Sequence, residues 1–340
     1  YYSAGQRKFG PGGDFVTAPE ISPLFGRCVA HSCAAVLEAA GGGSILEFGA
    51  GSGRMAVDLL GELAAIDCLP DRYLVLERSA ELRRRQHETI QAGLPELVGR
   101  VSWLDELPAP GFRGVMLANE VLDAMACERF RWTGEHAEQF FIVNDADRFS
   151  WQTRPSIDSE LTARVDQYAR DYALSPGYVS EINLALAPWV SSVAECLESG
   201  MVLLIDYGYP RREYLHPQRG SGTLQCHYRQ RAHDDVFFLP GLQDITAHVD
   251  FTAVAEAATD AGLQLAGYTT QAYFLLDCGL DGLLQAAGPT DSVQYMHQAQ
   301  QAKTLLLPGE MGERFQCIGL TRGIDEEIPG FRLHDMRGRL

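Results

Sequence analysis

The sequence predicts an α/β protein built on a doubly wound, mostly parallel sheet, and three observations carry that prediction. First, Ile45-Leu46-Glu47-Phe48 is a short apolar strand that runs into Gly49, Gly51 and Gly53, with a helix-like segment over 55–63 behind it. Glycines are needed where a backbone leaves a strand in a tight turn and a ligand must approach without meeting a Cβ. Second, short apolar runs at 73–77, 101–103 and 115–118 alternate with helix-like or polar segments, the rhythm of parallel β-α-β units. Third, Met201-Val202-Leu203-Leu204-Ile205 is a clear buried strand that stops at Asp206-Tyr207-Gly208.

Along the chain, residues 22–40 place Leu24, Phe25, Val29, Cys33, Val36 and Leu37 at helical spacing, closed by Gly41-Gly42-Gly43. The first strand covers 44–48, the second 73–77, and a charged surface helix follows over 81–91. Beyond Asp123 the rhythm changes. Residues 128–132 and 139–143 alternate well enough for a hairpin, and 158–173 is helical. A helix over 185–198 leads into the strand at 201–205, 209–248 is polar and loop-rich, 251–261 is helical and 315–320 forms a final strand. The expected organisation is a core of 1–123 and 185–340, with a large helical and loop insertion over 124–184 between the fourth and fifth core strands, on the substrate side.

At 340 residues, 46% of them apolar, the chain can bury a large core. A formal charge of −17 argues against a general nucleic-acid binder, whose phosphate contacts need a basic surface. Solubility accounts for the acidity, with a basic protein partner as the other reading. The eight cysteines are scattered without a C-x-x-C pair, so buried reduced thiols are expected rather than disulfides. No run is long enough to span a membrane and no signal peptide is visible. The chain opens on Tyr1-Tyr2 without a methionine, which leaves a removed targeting segment open.

In an open α/β sheet the ligand sits at the carboxyl ends of the strands. There the sequence puts Glu47 and Gly49, Glu77, Asp105, Asn119-Glu120 and Asp206. Glu77 stands where a carboxylate accepts both hydroxyls of a ribose, or else is a surface charge at a strand end. Asp105 either accepts from an adenine amino group or caps a loop. Asn119-Glu120-Val121-Leu122-Asp123-Ala124 gathers poor strand formers directly after a buried strand, groups suited to a cation or a hydrogen-bond donor. Helix capping by Asn119 is the plainer alternative. Glu20 is a site carboxylate or the cap of the helix from Ser22. His227, His233, Asp234 and Asp235 match no metal-ligand spacing, so no metal is expected. Arg83-Arg84-Arg85 reads as a solvated helix face, Tyr207 as packing or wall, and His248 with Asp250 as a structural pair.

The spacing Glu47-x-Gly49-x-Gly51-x-Gly53 is similar to the first motif of S-adenosylmethionine (SAM) methyltransferases, whose ligand carries no phosphate; the nicotinamide pattern G-x-G-x-x-G is absent. Five further blocks accompany it: Gly13-Asp14-Phe15-Val16-Thr17-Ala18-Pro19-Glu20-Ile21-Ser22, Asn119 to Ala124, Ile205 to Gly208, Asp244-Ile245-Thr246-Ala247-His248-Val249-Asp250-Phe251, and Met311-Gly312-Glu313-Arg314-Phe315. In this order they resemble the MidA family of SAM-dependent methyltransferases, over almost the whole chain. One departure is Met125-Ala126-Cys127, where the family usually has Leu-Pro or similar.

The resemblance implies a class I (Rossmann-like) methyltransferase fold, SAM as cofactor and an N-terminal segment covering the cleft. It also implies a protein arginine as acceptor, because the family's mitochondrial member is a respiratory complex I assembly factor that methylates an arginine. On this reading Glu47, Gly49, Gly51, Gly53, Glu77, Asp105 and Asn119 bind SAM, while Glu120, Asp123, Glu20 and Asp206 face the guanidinium. The expected partner is a protein substrate, such as a respiratory-chain subunit, without nucleic acid or membrane insertion; a homodimer stays open. The expected location is the cytoplasm for a bacterial-type member and the mitochondrial matrix for a eukaryotic one. A small-molecule methyltransferase and a weakly active SAM-binding assembly protein are the competing expectations.

Overall fold

The computed structural model describes residues 17–145, 148–229, 231–290 and 292–340. Gly13 to Val16, the start of the distinctive N-terminal block, lie outside the described residues. The apolar runs become β1 (Ser44–Phe48), β2 (Tyr73–Leu76), β3 (Val101–Leu104) and β4 (Phe112–Asn119). After them come β5 (Glu128–Trp132), β6 (Ala137–Asp145), β7 (Arg148–Pro155), β8 (Val179–Ile182) and β9 (Leu197–Tyr209). The remaining strands are β10 (Gln225–Tyr228), β11 (Arg231–His233), β12 (Asp244–Thr246), β13 (Val249–Asp250), β14 (Gln264–Thr270) and β15 (Phe315–Arg322).

The central sheet runs β14-β15-β9-β4-β1-β2-β3, with β13 beside β9. From β3 to β9 neighbouring strands are parallel, whereas β15 is antiparallel to both β9 and β14. Strand order reverses between β1 and β4, the switch point at whose carboxyl edge open sheets bind their ligands.

Helices cover both faces, which is why the central strands are apolar on both sides. α1 (Ala18–Ile21), α2 (Pro23–Ala39), α3 (Arg54–Ala65) and α4 (Ala80–Gly93) precede the crossover; α5 (Ser159–Tyr172), α6 (Leu186–Cys196), α7 (Arg211–Tyr214) and α8 (Phe251–Asp260) follow it. Near the C-terminus stand α9 (Gln271–Asp277), α10 (Leu280–Gln285) and α11 (Val293–Leu306). Ile45, Val75, Val115 and Leu203 pack toward α2 and α3, while Leu46, Met116, Val202 and Leu204 pack toward α6 and α8. Ser22 starts α2 by accepting the Leu24 N–H at 3.3 Å, with Pro23 in the first helical position. Glu20 is therefore not the cap of that helix.

Two expectations change here. Residues 124–184 are carried mainly by strands: the antiparallel sheet β7-β6-β5-β8 backs onto α5 through Phe130, Leu161, Val165 and Tyr168. The hairpin foreseen there is β5 paired with β6, with Phe130 opposite Gln139. Alternating Phe140, Ile142, Phe149 and Trp151 favour the pleated conformation over helix or loop. The polar stretch 209–248 also holds a sheet, β11-β10-β12, together with α7. All eight cysteines are unpaired, six of them buried. No helix among the described residues is long and apolar enough to cross a membrane.

Candidate active site

At the switch point the chain encloses a cavity of about 210 Å³, lined from the ends of β1, β2 and β4 by Glu47, Gly49, Gly51, Glu77, Asn119 and Glu120. Gly49 and Gly51 have left-handed φ of +62° and +52°, so the turn between β1 and α3 places backbone rather than Cβ against the cavity. Gly53 does not line it. A Cβ there would stand 3.1 Å from the Gln86 Cα, so this glycine lets α4 close onto the turn instead of touching a ligand. Glu47 is buried and accepts the Tyr73 hydroxyl at 2.6 Å; burial pushes its pKa up to about 7 against the pull of that bond. The Glu77 carboxylate lines the cavity and accepts from the Ser79 N–H at 2.9 Å and the Gln86 amide at 3.2 Å. Asn119 lines it too, and its Oδ1 is buried with no partner among the described residues.

Asp105 stands apart. It is 89% exposed, absent from the lining, and bonded to Arg83 at 2.6 Å. Arg83 also donates to the carbonyls of Glu77 and Leu104, so it ties the ends of β2 and β3 together instead of lying on a solvated face. Glu20 does line the cavity, where it accepts from the Ser52 hydroxyl and so stands beside the glycine turn.

A second cavity, of about 620 Å³, meets the first at Glu120, which lines both. Asp123, Tyr207, His227, Asp244, Thr246 and His248 are among its lining residues. Glu120 holds the left-handed φ of +53°, a conformation costly for a residue with a side chain and therefore kept only where its surroundings dictate it. Its carboxylate accepts from Asn119 Nδ2 at 3.2 Å and from the Ala18 N–H. Burial first, then Asp123, pushes it up to about 8. Asp123 is pushed to about 7 by burial, against the Tyr207 hydroxyl bonded to it, and its Oδ1 is buried without a hydrogen-bond partner among the described residues.

Asp206 faces neither cavity. Its Oδ2 accepts the N–H groups of Val121, Leu122 and Asp123 at 3.2, 2.9 and 3.2 Å, and its Oδ1 accepts that of Tyr207 at 2.9 Å. It is the clamp that shapes the turn carrying Glu120 and Asp123. Tyr207 is wall, its ring edge-on to His248 and Phe315. Burial, with Arg219 and Arg314 nearby, drives His248 down to about 4 and keeps it neutral. Asp250 caps α8 and bonds Arg211, so the anticipated His248–Asp250 pair does not form. The β10–β12 wall was missed by sequence reading: cross-strand neighbours Gln225 and Thr246, and His227 and Asp244, all line the second cavity. No described residue of 124–184 lines it. Among the described residues no three His, Cys, Asp or Glu side chains assemble as a metal site.

The carboxyls of Glu47, Glu120 and Asp123 hold their protons more tightly in the native state than in the unfolded chain, where such groups titrate near 4. Between about pH 4 and pH 8 the native state thus binds more protons, and stability falls as pH rises through that window. The unfolding midpoint of the ligand-free protein is expected to drop between about pH 5 and pH 8.5, with a flatter slope in Glu120→Gln/Asp123→Asn. An unchanged slope in that variant would remove these two groups from the explanation.

A doubly wound sheet with a glycine-turn cavity and strand-end carboxylates at its switch point is the arrangement of a class I methyltransferase. The chain belongs to the family of S-adenosyl-L-methionine-dependent methyltransferases whose model matches residues 28–269. It is similar to the Danio rerio protein named Protein arginine methyltransferase NDUFAF7, mitochondrial, at 28% identity over 92% of this chain and 77% of that protein. The Mus musculus protein of the same name is 26% identical over 98% and 78%. A Burkholderia thailandensis crystal structure with S-adenosyl-homocysteine bound superposes with a TM-score of 0.95 at 43% identity, covering 100% of this chain and 88% of that one. The small cavity fits SAM on its own chemistry: a turn that brings Gly49 and Gly51 backbone against the cavity, a fixed carboxylate for a diol, and an Asn119 Oδ1 without a partner among the described residues for an amine.

Proposed function

We propose that this enzyme methylates an arginine side chain of a protein, with Glu77 on the SAM ribose hydroxyls, Asn119 on the SAM amino acid moiety and Glu120 and Asp123 on the guanidinium. The observation that carries the reading is Glu120, shared by the two cavities, beside an Asp123 oxygen without a hydrogen-bond partner. SAM supplies a methyl group already activated on sulfonium sulfur. The protein's task is alignment, the entropic part of catalysis. A guanidinium is a planar cation whose donors suit paired carboxylates. Its charge replaces the missing counter-ion of Glu120 and Asp123 and favours their ionised forms. Methylation of a guanidinium releases one proton, and carboxyls raised to about 7 and 8 are suited to hold it.

The relatives named protein arginine methyltransferase support an arginine acceptor. A respiratory-chain subunit as acceptor follows from the family resemblance, with the bacterial cytoplasm or the mitochondrial matrix as the place of reaction. The proposed organisation keeps the core at 1–123 and 185–340. The unit over 124–184 contributes to the lining of a third cavity of about 670 Å³, which shares His248 with the second.

The test is transfer of labelled methyl from SAM to a glycine- and arginine-rich peptide and to its lysine counterpart. Methylarginine in the hydrolysate of the first peptide alone is the expected result. Label found only in the small-molecule fraction of a cell extract would support the small-molecule reading. SAM binding without any transfer would support an assembly protein.

A further inference from the structure

We propose that Gln86 is the positioning residue that joins the Glu77 carboxylate and the glycine turn into one preformed receptor for the SAM nucleoside. Gln86 lies on α4, is fully buried, and does not line the cavity itself. Its Oε1 accepts the Trp103 indole N–H at 2.8 Å. An indole can only donate, so this bond fixes which end of the amide is which. The two hydrogens of Nε2 then go to the Gly51 carbonyl at 3.1 Å and Glu77 Oε2 at 3.2 Å. One side chain thus bridges β3, the turn after β1, and the carboxylate after β2.

The backbone confirms how close this approach is. A Cβ on Gly53 would stand 3.1 and 3.2 Å from the Cα and carbonyl oxygen of Gln86, so α4 would have to give by a few tenths of an ångström to admit it. With Ser79 N–H on Oε1 and Gln86 on Oε2, each Glu77 oxygen has one protein donor and keeps lone-pair capacity for a vicinal diol. Orienting partners of this kind are what hold a binding group within the narrow tolerance that affinity demands.

The inference rests on the reading of Glu77 as the ribose acceptor, and the experiment separates the two. SAM is titrated calorimetrically into the full chain, into Glu77→Ala, Gln86→Glu and their double variant, and into Trp103→Phe. Gln86→Glu keeps the shape but turns the donor end into an acceptor facing a carboxylate and a carbonyl. Glu77→Ala and Gln86→Glu should each weaken SAM by at least about tenfold, the worth of a lost bond to a charged group. The double variant should bind no worse than Glu77→Ala within about twofold, since residues acting through one another are not additive. The Gln86→Glu loss should shrink at lower pH, where a protonated carboxyl regains a donor, and should enter the KM for SAM and not that for the acceptor. Trp103→Phe should fall between wild type and Gln86→Glu with an unfolding midpoint near wild type. Unchanged SAM binding in Glu77→Ala would overturn both the ribose reading and this inference. Normal binding in Gln86→Glu, or additive losses, would overturn the role of Gln86 alone.

Discussion

Glu120→Gln is expected to lower kcat for arginine methylation by roughly 10²–10³, the usual effect of deleting one preorganised electrostatic partner at a reacting centre. Glutamine keeps the length and planarity of the side chain. Its carbonyl can still accept from Asn119 and from the Ala18 N–H, so the left-handed turn at φ +53° has reason to persist. What disappears is the charge at the one described residue common to both cavities. SAM affinity should therefore change little while the acceptor is held without its counter-ion. The pH profile adds a second readout. Wild-type kcat/KM should rise as the Glu120–Asp123 cluster loses protons, with an apparent midpoint near 7 to 8 that belongs to the cluster and not to one residue. The variant should lose the upper part of that rise. A kcat within twofold of wild type would place the chemistry elsewhere.

The parts of this architecture that show in the sequence are those with a local cause. Ile45 and Leu46 face opposite helical layers, so β1 must be apolar throughout, and the turn behind it must be glycine-rich to bend. Glu77, Asn119 and Glu120 follow from standing at strand ends. The roles of Asp206 and Glu20 do not follow from position. Asp206 also stands at a strand end, but its oxygens are consumed by four backbone N–H groups of the neighbouring turn and its own successor, a fact of register across β4 and β9. Glu20 reaches Ser52 across 32 residues of chain. The β10–β12 sheet was hidden for a different reason. Its strands are three or four residues long, and the side chains it turns inward are Gln225, His227, Asp244 and Thr246 because they face a cavity, not a core. The other face carries Cys226 opposite Ile245, but an alternation over three or four residues is too brief a period-two signal to read in a polar stretch. Arg83 and Gln86 read as two polar residues of a charged helix, and only the packing of α4 gives them partners, the ends of β2 and β3 for Arg83 and the glycine turn and Glu77 for Gln86.

Arg211 marks the joint between the outer sheet and the core, and its loss is expected to cost about 3–5 kcal/mol, the range for removing one partner of a buried ion pair. The side chain is 4% exposed and each of its three guanidinium nitrogens donates a hydrogen bond. Nε donates to Asp250 at 2.8 Å, and Nη1 and Nη2 hold Glu256 in a two-point fork at 2.7 and 2.6 Å. Its face lies 5.2 Å from the ring centre of Tyr168 on α5, so one cation links the outer unit to the start of α8. Arg211→Met keeps most of the apolar stem but leaves the Asp250 carboxylate buried without its cation. Burial already raises Asp250, and losing Arg211 should raise it further. The defect should accordingly be largest near neutral pH and shrink under acid, where Asp250 takes a proton in the variant. Adding Asp250→Asn removes the stranded charge while keeping an oxygen to cap α8 through the Ala253 N–H. The double variant should recover at least about half of the single loss in urea unfolding, because an uncompensated charge costs more than an absent pair. If the two substitutions simply add, the cost lies in lost packing against Tyr168 and not in the electrostatics of the joint.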